Sequence, residues 1–178
     1  MAYKIASYVL GKINLLKDLL FTKPVKVALN DGSAGHFELV RDLLRYPEMV
    51  KMSKRAHHKY HSKLDHMLLT SKFAYYFAQR CDADIRTCTR ASVIHDVGTH
   101  WYHNEPAVRF ARRIGEPEAV QNAIDTHMVF NKAPKTKEGW VVAFADGCAW
   151  GVEALEFLKY SIKDLISWIV KISPVNIT

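Results

Sequence analysis

A chain of 178 residues, 49% hydrophobic and 24% charged, is long enough for one sizeable core and has the balance of an ordinary soluble globular protein rather than a disordered or membrane-embedded one. Its three cysteines (Cys81, Cys88 and Cys148) are odd in number and lack Cys-x-x-Cys spacing, which excludes a disulfide-built scaffold and predicts reduced thiols in a cytoplasmic setting. A net charge of +7 predicts an anionic partner more readily than a cationic one. From the N-terminus, Ile5, Tyr8, Val9, Ile13, Leu16, Leu19 and Leu20 recur at helical steps until Pro24. Lys4, Lys12 and Lys17 interrupt that apolar segment, so it has neither a secretory leader's core nor a spanning length. Val25 to Leu29 followed by Asn-Asp-Gly reads as a loop.

Phe37, Val40, Leu43 and Leu44 predict a second helix that Pro47 ends. From Met49 to Leu64 there is no acid, while Lys51, Lys54, Arg55, Lys59 and Lys63 alternate with His57, His58 and His61. Such a run is either a solvated basic face or an electropositive approach to an anionic substrate. It lacks the aromatic stacking or groove-reading pattern that would single out nucleic acid. Ser62 then caps a long helix carrying Leu64, Met67, Leu68, Phe73, Phe77 and Ala78. Asp84 caps the next, which reaches Ile94 and runs into His95-Asp96-Val97-Gly98, with Gly98 as its C′ residue. Asn104 and Pro106 open a helix closed by Gly115, and Pro117 opens another with Val120, Ala123 and Ile124 inward. Trp140 to Leu155 and Glu156 to Ile172 read as two further helices. Seven or eight helices with short connections predict an all-α, compact single-domain bundle over residues 1–178, with its core at 40–155 and a flanking helix at each end. The apolar stripes of the end helices offer surfaces for a homodimer.

Adjacent His95 and Asp96, with His66 placed 29 residues before His95 and Asp146 placed 50 after Asp96, make a four-ligand set on the inward phase of predicted helices. Imidazole and carboxylate together suit a divalent ion such as Mn, Fe, Co, Ni, Zn or Mg. Asp146 stands among Val142, Ala145 and Ala149, where a carboxylate requires a cap, an ion pair or a metal. His127 follows Val120 and Ile124 at helical spacing and shares their buried face.

These residues carry a family resemblance. The stretch Asp65-His66-Met67-Leu68-Leu69-Thr70-Ser71 resembles the first-ligand helix of the HD-domain phosphohydrolase superfamily. Arg90 to Gly98 resembles its central motif, and Val141-Val142-Ala143-Phe144-Ala145-Asp146 its last-ligand helix. Within the superfamily the chain is similar to a group of small bacterial hydrolases with His-His some eight residues before the first ligand, matched by His57-His58. That group's later His followed by two small residues is matched by His103, Ala107 and Ala111, and its His-Met before a polar loop by His127-Met128. The resemblance spans roughly Leu43 to Leu155. It implies an all-helical metal enzyme in which His66, His95, Asp96 and Asp146 hold a first ion. His103 and His127 match positions that hold a second ion in some members. Many members carry Lys after the His-Asp-x-Gly, where this chain has Thr99, and His100, Trp101 and His103 crowd the same loop.

The chemistry so implied is hydrolysis of a phosphate ester or anhydride, in a nucleotide or related small phosphorylated metabolite, by metal-activated water. Asp96 is then a ligand or bridge. His127, where it does not bind an ion, is the candidate general acid, because imidazole titrates near neutrality. His61, Lys63, His100 and Lys132 are the candidate phosphate contacts. The alternative is a catalytically silent module of the same type that binds a metal or a nucleotide.

Overall fold

The structure, a computed structural model, describes residues 34–58, 61–98 and 104–172, with side chains as far as residue 164 apart from His58. Seven α-helices lie among these residues: α1 (Ala34–Val40), α2 (Pro47–Ser53), α3 (Lys63–Cys81), α4 (Ile85–Ile94), α5 (Asn104–Arg113), α6 (Glu118–Asp125) and α7 (Lys137–Ile172). A 3-10 turn at Leu43–Arg45 joins α1 to α2, and a two-stranded antiparallel sheet, β1 (Ala56–His58) with β2 (His61–Ser62), precedes α3. The fold is all-α, as the sequence predicts, with that small hairpin as its one sheet among the described residues. The predicted N-terminal helix and the loop at Val25 to Leu29 lie outside the described residues. By its contacts the chain divides into two compact units, one of them Leu29–Glu153, and Ala154 onward belongs to the other. Among the described residues no helix is long and apolar enough to cross a membrane.

Short polar caps fix where the site-bearing helices begin. At the start of α3, Ser62 Oγ accepts from the Asp65 amide at 3.2 Å while the Asp65 carboxylate accepts from the Ser62 amide at 2.8 Å. This reciprocal box satisfies two amides that a helix start leaves without partners and sets His66 in the first turn. Asp84 caps α4 with a single bond, accepting from the Thr87 amide at 2.6 Å. The end of α5 uses Gly115, whose φ of 79° lets the Glu116 amide reach back to the Ala111 carbonyl at 2.9 Å.

Helix α4 runs through the middle of the Leu29–Glu153 unit, packed on α1, α3 and α6, and every residue from Thr87 to Ile94 is buried. Leu43, Met49, Met67, Ile94, Ala107, Ile124 and Val142 close the main core around it. Burying a side chain such as Ile94 or Ile124 contributes about 1.5–3 kcal/mol relative to its exposure. A second cluster of Ala74, Ala78, Cys88, Val141 and Ala145 joins α3, α4 and the first half of α7. Its small residues let the three backbones approach closely enough to share one site. All three cysteines are free, and burial pushes the Cys88 thiol up to about 12.

Three elements differ from their sequence reading. The predicted helices at Trp140 to Leu155 and Glu156 to Ile172 are one continuous helix, α7, because the stretch Val152-Glu-Ala-Leu-Glu-Phe-Leu-Lys holds good helix formers and no breaker. Pro47 opens α2 at its first position, where a missing amide hydrogen costs nothing. Gly98 is not the C′ residue of α4: the helix ends at Ile94, His95 is its C-cap, and Gly98 follows the turn with φ 152°.

Candidate metal centre

Helices α3, α4 and α7 and the loop after α6 each send an ionisable side chain into one buried place. His66 comes from the first turn of α3, His95 and Asp96 from the end of α4, His127 from the residues just past α6, and Asp146 from the third turn of α7. His66 Nε2 lies 3.0 Å from Asp146 Oδ1, and His95 Nε2 lies 3.5 Å from the same oxygen. His95, His127 and Asp146 each bring a ligand atom within 4.8 Å of the other two, as do His66, His95 and Asp96. The rings of His66 and His95 are 5.5 Å apart, and those of His95 and His127 are 4.9 Å apart.

Each of these imidazoles has its Nδ1 held. His95 Nδ1 donates to the Ser92 carbonyl at 2.7 Å and His127 Nδ1 to the Ile124 carbonyl at 2.5 Å. A carbonyl accepts and never donates, so in both rings Nδ1 carries a hydrogen, and the neutral form of either ring has its lone pair on Nε2. That is the tautomer a metal-binding histidine needs.

The electrostatics are those of a place that wants positive charge. For His66, burial works against the protonated ring, but hydrogen bonds to Asp146 and Glu153 outweigh it and raise the pKa to about 10. For Asp146, burial would raise the pKa, and His66 and His95 together hold it well below the usual carboxylate range. A proton shared among imidazoles and carboxylates therefore stands where a divalent cation would satisfy the same atoms. The donor set, neutral nitrogen with carboxylate oxygen, fits such an ion.

Lys63 is buried, and its Nζ lies 3.2 Å from Asp96 Oδ2 and donates to the Gly98 carbonyl at 3.1 Å. Arg55 reaches the same carbonyl at 3.5 Å. The basic run thus divides: Lys51 and Lys54 face solvent while Arg55 and Lys63 turn toward the His-Asp loop. His61 sits half-buried in β2. Lys132 is on the surface and pairs with Asp125. His100 and His103 lie outside the described residues. One residue that sequence reasoning missed is Glu153, buried with 3% exposure, whose two carboxylate oxygens lie 3.1 and 3.2 Å from His66 Nδ1. Its signal was available, because Glu153 stands seven residues after Asp146, two turns along the same helix face.

Residues 64–151 match the family model of the HD domain, and that segment contains His66, His95, Asp96, His127 and Asp146. The chain carries an HD domain over this segment. No curated protein and no solved structure matched it. HD domains bind divalent metal ions, and the superfamily consists mostly of metal-dependent hydrolases. The histidine and carboxylate cluster of this HD domain can hold such an ion.

Proposed function

We propose that this HD domain is a metal-dependent phosphohydrolase that cleaves a phosphate ester or anhydride of a nucleotide or related small phosphorylated metabolite. The observation that carries the reading is the convergence of His66 Nε2 and His95 Nε2 on one oxygen of Asp146, with Asp96 alongside. A divalent ion held there would acidify a water and offset charge on the phosphoryl group. The chain's own residues do the rest. Asp96 stands ready as ligand or bridge. His127 gives its Nδ1 hydrogen to a backbone carbonyl, which leaves Nε2 free to take up the proton released by the attacking water and pass it to the leaving oxygen. Lys63 offsets the charge of Asp96 and holds the carbonyl of Gly98, and its ammonium would meet a phosphate oxygen. Exposed Lys51 and Lys54 would raise the local concentration of an anionic substrate.

A module that binds without turnover is the second reading, and one observation favours it: the ammonium of Lys63 already neutralises Asp96. Phosphate release from a panel of nucleotides and phosphate esters separates the two, with Mn²⁺ or Co²⁺ added and EDTA as control. Metal-dependent release from nucleotide phosphates is the expected result. Bound metal with no release from any compound would leave the binding module.

A further inference from the structure

Among the three held imidazoles, His66 is held differently. His95 and His127 each follow a helix end, where carbonyls three residues back lack a helical partner and accept the ring hydrogen. His66 sits instead in the first turn of α3, where the backbone offers amides rather than spare carbonyls. Its Nδ1 needs an acceptor from elsewhere in the fold, and both oxygens of Glu153 lie against it at 3.1 and 3.2 Å.

We propose that Glu153, outside the ligand set matched by the superfamily, is the positioning residue for His66: it takes the Nδ1 hydrogen and so keeps Nε2 turned toward Asp146 as a metal-binding nitrogen. The inference rests on the metal-site reading above. Asp146 and Glu153 share one face of α7 two turns apart, so a single helix addresses both nitrogens of the ring. A buried carboxylate is costly unless it is paired, and this one has His66 on one side and His57 Nε2 at 3.7 Å on the other. The His57 ring lies over His66 at 4.4 Å between centroids, which fixes the plane in which Glu153 meets Nδ1. The hairpin of β1 and β2, which carries His57 to α3, thereby has a part in the site.

His57, His66 and Glu153 also lie close enough to hold an ion of their own. The two uses exclude one another, because a neutral imidazole has one lone pair. An ion on Nδ1 would place the hydrogen on Nε2, facing Asp146, and remove His66 from the first set.

Zinc titration of the full chain by chelator competition, with nitrogen NMR of the His66 ring in the zinc-loaded protein, tests the assignment without reference to turnover. The expected result is an Nδ1–H tautomer for His66 in the wild type. Glu153→Ala should weaken zinc about 10–100-fold with the number of ions unchanged, and Glu153→Gln, which keeps an acceptor oxygen and the side-chain volume, should weaken it less. An Nε2–H tautomer in the wild type, or loss of one ion in either variant, would overturn the inference in favour of a separate site on Glu153. Wild-type affinity in a folded Glu153→Gln and a folded Glu153→Ala overturns it while the metal-site reading stands. Zinc binding equally weak in the wild type and in Asp146→Ala overturns both.

Discussion

Two buried ionic clusters lie in the same unit and use their charges in opposite ways. Around Arg90, Nε donates to both oxygens of Glu116 at 3.0 Å, one terminal nitrogen donates to the Leu39 carbonyl at 2.7 Å and to Asp42 at 2.8 Å, and the other donates to Asp42 at 2.9 Å and to Glu116. Every face of a permanently charged fork is answered by an oxygen whose position the fold sets. Around His66 the positive charge is a removable proton on an imidazole, and two ring nitrogens of different helices point at a single carboxylate oxygen. The first cluster ties α1, α4 and the turn after α5 together and has no room for a ligand's demands. The second leaves its charge balance to be completed by whatever cation binds. Burial and ion pairing are common to both, so neither marks a binding site. What marks one is ring nitrogens of different helices converging on one carboxylate oxygen, with a proton that a metal ion can displace.

That contrast predicts separable losses. The largest is in stability: Arg90→Leu leaves the buried Glu116 carboxylate without its main partner and should cost about 3–5 kcal/mol in urea unfolding, with Arg90→Lys restoring little because an ammonium cannot reproduce the fork. The metal affinity of the folded fraction should stay at its wild-type value. A parallel fall in affinity would mean that the two clusters act as one. The complementary change is Asp146→Ala, which removes the oxygen that both His66 and His95 face. It should weaken metal binding by more than the roughly 100-fold upper range of an indirect partner's loss. The wild type should gain about 2.7 kcal/mol in unfolding free energy when metal is supplied at a hundredfold excess over its dissociation constant, and Asp146→Ala should gain almost none. A variant still stabilised by metal would place the ion elsewhere.

The same contrast explains what sequence alone revealed. The caps at Ser62 and Asp84, the inward phase of Val120 and Ile124 and the His95-Asp96 pair were legible because each depends on neighbours a few residues away. The all-α class follows from the same local periodicities. The hairpin around His57 was not legible, since two short strands of His, Ala and Ser in a basic run carry no alternating apolar pattern. Glu153 shares the helix face of Asp146 in the sequence, but a glutamate on a long helix is usually solvated, and its burial against His66 is set by the fold. Lys63 reads as a candidate phosphate contact by its charge, but its contacts with Asp96 and the Gly98 carbonyl were not legible, because they depend on a turn 35 residues away. Arg90, part of the matched central motif, gave no hint that its partners would be Asp42 and Glu116, which the chain brings from both sides of it.

The smallest effect tests how the Arg90 cluster divides its work. Asp42 is 57% exposed while Glu116 is buried, so water screens the first pair and not the second. The hydrogen bonds from Arg90 hold the Asp42 carboxyl below its usual value of 3.8. A carboxylate with a lowered folded-state pKa contributes stability that is present above its unfolded value and is lost as the pH falls through the folded one. Asp42→Asn should therefore cost about 1 kcal/mol or less at neutral pH, with the gap to the wild type closing in acid below the ordinary carboxylate range. A gap that persists unchanged at low pH would assign the contribution to shape rather than charge. A gap as large as that of Arg90→Leu would make the exposed Asp42, and not the buried Glu116, the partner on which α4 is fixed.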